Sequence, residues 1–296
     1  MKSVMGTVAG RSYTRVTLAL DIIGRLTEGP WAGYHRLGIV KKKIDLFDDI
    51  VVEESAHDEI VCDRPDVPRD SSNLCWKAAE EIRRASGVKQ PVRINIEKHI
   101  PLMGGLAGGS ANAATVMMLL SSLWSLELST QRLCELGRRV GMDVPFYFVG
   151  DTAFDTETGT WPQLVGTSLT FTMVLALPPF GVSTSQAYAG IDYRATGHQT
   201  GETEEMLDAL KKNDGDAVIA RMHNDFEHSV FASHPALVSL RAAMLNAGCR
   251  KVVLSGSGST LIGVVDDTET ARVCAASVPT TCIVASTNVP GMEIAG

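Results

Sequence analysis

Hydrophobic and polar positions alternate along 16–23, 39–47 and 92–96, the period of half-buried strands, whereas 73–85 and 111–123 have helical spacing and good helix formers. The first half of the chain therefore mixes strands with helices. A polar, Gly- and Thr-rich stretch at 151–166 interrupts the pattern, and a new strand-like alternation begins at 169–177. A boundary there divides the chain into two expected domains, 1–160 and 161–296. The segment 196–205 is rich in Gly, Thr and Glu and has no apolar period, which predicts an exposed loop. Helices follow at 206–222 and 235–247, then Gly248 where a left-handed helix stop is expected, then a strand at 251–254. No internal repeat or low-complexity block interrupts this α+β pattern.

The 296 residues are 45% hydrophobic, enough for two domains sharing a cleft. With 27 basic and 34 acidic residues the formal charge is -7, so neither nucleic acid nor an anionic membrane is an expected partner. The longest apolar runs, such as 116–120 and 171–177, fall short of a bilayer span, and no secretory h-region fits between Lys2 and Arg11. A cytoplasmic monomer or homodimer is the expectation. Six cysteines, at 62, 75, 134, 249, 274 and 282, form no CxxC pair and have no metal-like His spacing, which reads as reduced structural thiols.

Candidate chemistry enters at the run from Pro101 to Ala114, between a predicted strand and a predicted helix. Glycines at 104, 105, 108 and 109 let backbone amides crowd around an anion. A helix opening near Ser110 turns its unpaired N–H groups and positive dipole end toward it. A nucleoside triphosphate suits such a cradle, and the Ser110 hydroxyl can cap the helix or reach a phosphate oxygen or its Mg2+. The alternative is a tight strand-to-helix turn in which glycine serves backbone geometry alone. A GxxxxGK[ST] string is absent, as is an acidic residue about 20 positions on in a Rossmann setting, which demotes P-loop and dinucleotide sites.

This run, with Leu106, Asn112, Ala113 and Ala114 in place, resembles the phosphate-binding motif of the GHMP kinases, in the group that phosphorylates a cytidine-diphosphate-linked polyol of non-mevalonate isoprenoid synthesis. Other segments resemble the same family over nearly the whole chain: Gly33-Tyr34-His35-Arg36-Leu37, Asp143-Val144-Pro145-Phe146, Gly181-Val182-Ser183-Thr184, Asn224-Asp225-Phe226-Glu227 and Ser255-Gly256-Ser257-Gly258-Ser259. The resemblance implies a ribosomal-S5-like amino-terminal domain and a ferredoxin-like carboxy-terminal domain with the active site between. It implies ATP as donor, Mg2+ bridging its phosphates, and a small-molecule alcohol as acceptor.

By the same resemblance, Gly104, Gly105, Leu106, Ala107, Gly108, Gly109, Ser110 and Asn73 are ATP-binding candidates, and Ser110 a metal contact. Asn73 serves equally well as a helix cap. Asp143 becomes the catalytic carboxylate that orients the acceptor hydroxyl; the alternative is a turn or N-cap aspartate before Pro145. Tyr34, His35 and Tyr188, with Phe180 as second choice to Tyr188, become nucleobase contacts through stacking and ring-edge hydrogen bonds. Singly, each is also an ordinary rim aromatic or surface histidine. Thr17, Gly256 and Ser257 complete the substrate side.

The pattern breaks at four places. Arg15 stands where the family carries lysine, keeping a positive charge near Asp143 with a differently shaped donor set. Thr17 replaces an asparagine. Ala32 replaces an aspartate after a longer loop at 26–32. Ala107 replaces a glycine, and a φ below zero is expected to absorb its Cβ. Two other readings stay open: a GHMP kinase for a mevalonate-type or sugar alcohol, and a nucleotide-binding pseudokinase.

Overall fold

The computed structural model describes residues 6–29, 31–156, 161–290 and 294–295. Outside them lie 1–5 of the segment searched for a leader, Pro30 of the loop at 26–32, and 157–160 of the polar boundary stretch. The first half runs β1 (Thr7–Arg25), β2 (His35–Glu54), β3 (Glu59–Cys62), α1 (Leu74–Ser86), β4 (Val92–Glu97), α2 (Gly108–Leu123), α3 (Thr130–Val140), α4 (Phe146–Val149), β5 (Thr152–Asp155) and β6 (Gln163–Leu164). The second runs β7 (Thr172–Leu177), α5 (Thr184–Ala189), α6 (Thr200–Lys212), α7 (Gly215–Arg221), β8 (His223–Asn224), α8 (Phe226–Ser233), α9 (Ala236–Asn246), β9 (Lys251–Leu254), β10 (Leu261–Val265), α10 (Thr268–Ser277), β11 (Thr281–Ser286) and β12 (Ile294–Ala295).

The alternating runs at 16–23 and 39–47 prove to be the middles of two long antiparallel strands, paired from Thr7 opposite Glu53 to Arg25 opposite His35. Register shifts between Tyr13 and Arg15 and between Thr17 and Ala19 interrupt this ladder. Bulges of this kind re-aim side chains, and these two bracket Arg15 and Thr17. The first sheet has the order β12-β1-β2-β4-β3, with β5 also on β2, β6 on β5 and β8 on β1; the second, fully antiparallel, has the order β11-β7-β10-β9. This is the α+β architecture the pattern predicts.

One core lies wholly in the first half, where α1 packs on α2, α2 lies on β1 and β2, and apolar residues of β3 and β4 join the same cluster. Val116, Met117, Leu119 and Leu120 of α2 are fully buried there, each contributing about 1.5–3 kcal/mol. Their burial fixes the axis along which the helix start points. A second core joins Val16, Val40 and Ile44 to Met173, Leu175 and Ile262, so the two sheets share apolar contacts. All six cysteines are free and five are buried.

Two expectations need correction. The stretch 196–205 is not all loop, because α6 already begins at Thr200. Its first turn is anchored by a tertiary contact rather than an apolar period: Thr203 Oγ1 donates to Asp21 Oδ2 at 2.6 Å. The single helix expected at 206–222 is two, broken where Asn213 turns left-handed at φ 55° and Asp214 accepts the Ala217 N–H to cap α7. Gly248, at φ 104°, does follow α9 as a left-handed stop. No helix among the described residues is long and apolar enough to cross a membrane.

Candidate active site

Between the sheets lies a cavity of about 470 Å³, and the turn from Pro101 to Ala107 forms one wall. The carbonyls of this turn are held from behind. Arg15 Nη1 donates to Gly105 O at 3.0 Å, Ser255 Oγ to the same oxygen at 3.2 Å, and Thr14 Oγ1 to Leu106 O. Gly105 sits at φ 71°, and a Cβ there would fall 2.0 Å from Ser255 O. Only glycine lets the turn press so closely on the loop at 255–258.

α2 then starts at Gly108, earlier than Ser110. Its N-cap is Ala107 at φ 54° and ψ 30°, not the φ below zero expected for an alanine there. The sharp entry into the helix demands a left-handed residue, and alanine accepts that conformation under strain. Ala107 makes no side-chain cap, so the first amides of a 16-residue helix face the cavity with the positive end of the dipole. A phosphate group fits that arrangement. Ser110, third in the helix, also lines the cavity.

Asp143 lies in the turn between α3 and α4. Its side chain does not cap α4, whose N-cap is Pro145. Instead Oδ2 meets Arg15 Nη2 at 2.7 Å, and Oδ1 meets Lys41 Nζ at 2.7 Å. Burial opposes its charge, but Arg15 and Lys41 outweigh that and hold the carboxyl well below the usual carboxylate range. Asp143 lines the cavity, as do Thr17, Tyr188, Gly256 and Ser257. Thr17 Oγ1 accepts from Arg15 Nη1 at 3.2 Å, and Gly256 O accepts from Asn224 Nδ2 at 2.8 Å.

Four candidates, Asn73, Tyr34, His35 and the second-choice Phe180, sit apart from the cavity wall. Asn73 caps α1, accepting the Cys75 N–H at 2.9 Å and donating to Pro68 O at 2.6 Å. Tyr34 is half exposed and packs edge-on against Trp31 at 5.5 Å. His35 stacks on Tyr188 with centroids 3.9 Å apart, and the Tyr193 ring lies nearly parallel at 6.1 Å. Burial, then the charge of Arg25, lowers the His35 pKa, so its ring is neutral at neutral pH. Phe180 stacks on His234 instead.

Two cations escaped the sequence reading. Lys41 is one, and its signal was a charge inside an apolar alternation. Lys98 is the other: it lines the cavity, pairs with Asp48 at 2.5 Å, and places Nζ 3.3 Å from where a Cβ on Gly108 would stand. A lysine closing a strand just before a glycine turn was its signal.

The family of GHMP kinases N terminal domains matches residues 73–151, and that of GHMP kinases C terminal domains matches 206–284. A 4-diphosphocytidyl-2-C-methyl-D-erythritol kinase of Alkaliphilus metalliredigens is 34% identical over 264 residues, 88% of each chain. One from Bacillus cereus is 35% identical over 257 residues, 86% of this chain and 87% of the other. A crystal structure of 4-(cytidine 5'-diphospho)-2C-methyl-D-erythritol kinase matches with TM-score 0.77 at 28% identity, covering 94% of this chain and 98% of that one. With both family halves matched and such relatives spanning most of its length, the chain belongs to the GHMP kinases, which are ATP-dependent phosphotransferases.

Proposed function

We propose that the chain transfers the γ-phosphoryl group of ATP to the 2-hydroxyl of 4-diphosphocytidyl-2-C-methyl-D-erythritol. The observation that carries this reading is Asp143, an ionised carboxylate opening on the same cavity as the uncapped start of α2. The relatives of that name, aligned over most of the chain, support the acceptor. The domains we propose are 1–160 and 161–296, and the setting cytoplasmic.

In this reading the amides of Gly108 and Gly109, with Lys98 beside them, bind the phosphates of ATP. Mg2+ carried with ATP supplies charge neutralisation. Among the described residues no group of three or more His, Cys, Asp or Glu could hold a metal ion. Ser110, which lines the cavity beside the start of α2, would supply a hydroxyl oxygen to an ion brought in with ATP. Asp143 accepts a hydrogen bond from the acceptor hydroxyl and aims its oxygen at the phosphorus. Being a weak base, it takes the proton only as the new P–O bond makes that hydroxyl acidic. Arg15 neutralises charge on the transferring group. Tyr188 offers a ring face for the cytosine once His35 yields it.

The test is turnover of the purified chain with ATP and the cytidine-linked polyol, beside mevalonate and a hexose. Phosphorylation of the first alone is expected. Turnover of mevalonate or a sugar without the first overturns the acceptor and keeps the kinase.

A further inference from the structure

We infer that Lys41 and Asp155 form a positioning pair for phosphoryl transfer, in which Asp155 anchors the Lys41 ammonium and Lys41 holds the Asp143 carboxylate in one orientation. The inference rests on the kinase reading for its reaction and on strand register for its geometry.

Lys41 is 0% exposed. Moving an ammonium out of water costs several kcal/mol, and a well-packed apolar side chain commonly serves stability as well or better. The charge therefore calls for a reason other than stability. Its Nζ lies 2.7 Å from Asp143 Oδ1 and 2.8 Å from Asp155 Oδ2. These carboxylates are not equivalent. Asp143 retains 19% side-chain exposure and lines the cavity, whereas Asp155 has 0% and does not, so the route from Asp155 to the cavity runs through Lys41.

Register makes the arrangement rigid. Lys41 stands opposite Thr17 of β1 on one side and Ala153 of β5 on the other, in the middle of three paired strands. Arg15 reaches one oxygen of Asp143 and Lys41 the other, so the carboxylate is gripped at both ends and cannot rotate. The charged and titratable groups facing Asp143 are Arg15 from β1, Lys41 from β2 and Tyr147 from α4, with Asp155 of β5 behind Lys41. Burial pushes the Tyr147 phenol up, leaving it neutral. A fixed, anchored cation holds the hydroxyl acceptor in line where a mobile one would let it wander.

The test reads Asp143 directly in the full chain, by NMR of 13Cγ-labelled aspartate, with the resonance assigned by its loss in Asp143→Asn. Lys41→Met combined with Asp155→Leu removes both members of this ion pair together. In this double variant the Asp143 titration should move up by about 1–2 pH units. The kcat should fall at least about tenfold while the KM for ATP stays within about twofold, the mark of an interaction made in the transition state. An unmoved titration in the folded double variant, or a kcat that falls only with the folded fraction, overturns the proposal. If the wild type ignores the cytidine-linked polyol, the acceptor reading fails, and the Asp143 titration still decides the part played by Lys41.

Discussion

Ala107→Gly should stabilise the protein. At φ 54° and ψ 30° the alanine Cβ crowds the following carbonyl, a conformation that costs an L-residue about 1–2 kcal/mol. Glycine removes that strain but frees the unfolded chain, which gives back roughly 0.4–1 kcal/mol. The net gain is about 0.5–1 kcal/mol, or ~1–3 °C in Tm for a chain of this size. Nothing else has to move. Ala107 is only partly buried, and its carbonyl accepts from Tyr147 Oη, Ser110 N and Ala111 N, bonds that glycine keeps. Ala114→Gly is the matched control. It makes the same chemical change inside the same helix, at a fully buried position, where it should destabilise by about 1 kcal/mol or more. Calorimetric unfolding of the two variants should therefore give Tm shifts of opposite sign. Equal signs would show that the left-handed alanine is not strained and refute the reasoning.

Arg15→Met removes the guanidinium from Asp143 and from Gly105 O; kcat should drop roughly 10²–10³-fold, as on loss of one preorganised donor, and steady-state assays showing less than a tenfold drop contradict the role. Gly105→Ala places a methyl 2.0 Å from Ser255 O at φ 71°; urea unfolding should show a loss of about 3 kcal/mol or more, and a near-native midpoint contradicts the interlocked loops. Burial works against protonation of His223, but Asp21, the Arg221 carbonyl and Asp225 outweigh it and raise its pKa above 6.5. The resulting stabilisation is full below about pH 6.5 and is lost as pH rises through the folded-state value. The stability difference between wild type and His223→Gln, from urea unfolding at about pH 6 and about pH 9, should shrink with rising pH, and a widening difference contradicts the linkage.

What was legible in the sequence is what a local rule writes into residue type. Asn73 announces the start of α1 by accepting the Cys75 N–H, and Gly248 announces the end of α9 by standing at φ 104°. Gly105 announces a turn that no Cβ can enter. Asp143 and Arg15 drew notice through their neighbours in sequence, and the fold brings them to 2.7 Å. The start of α6 was illegible because it depends on Thr203 meeting Asp21, 182 positions away. Ala107 misled for the opposite reason. Its residue type argues against the conformation that the turn imposes, and tertiary contacts on either side of it prevail.

Lys41 shows a deeper limit. Lysines at 41, 42 and 43 stand in a row on β2, and both Lys41 and Lys42 are buried, so alternation along the strand cannot say which of them meets Asp143. Lys42 turns the other way and donates to Thr152 Oγ1 at 3.0 Å. The choice between them is made by pairing: Thr17 opposite Lys41, and Ala153 opposite Lys41 on the far side. A slip of one residue that set Val40 opposite Thr17 and Ala153 would turn the Lys41 ammonium away from both carboxylates and put an apolar side chain in its place. Buried acids that lose one of their cations cost far more than a displaced methyl group. The cluster of Arg15, Lys41, Asp143 and Asp155 therefore penalises wrong registers of β1, β2 and β5, so the charges that aim the carboxylate also help select the sheet that holds them.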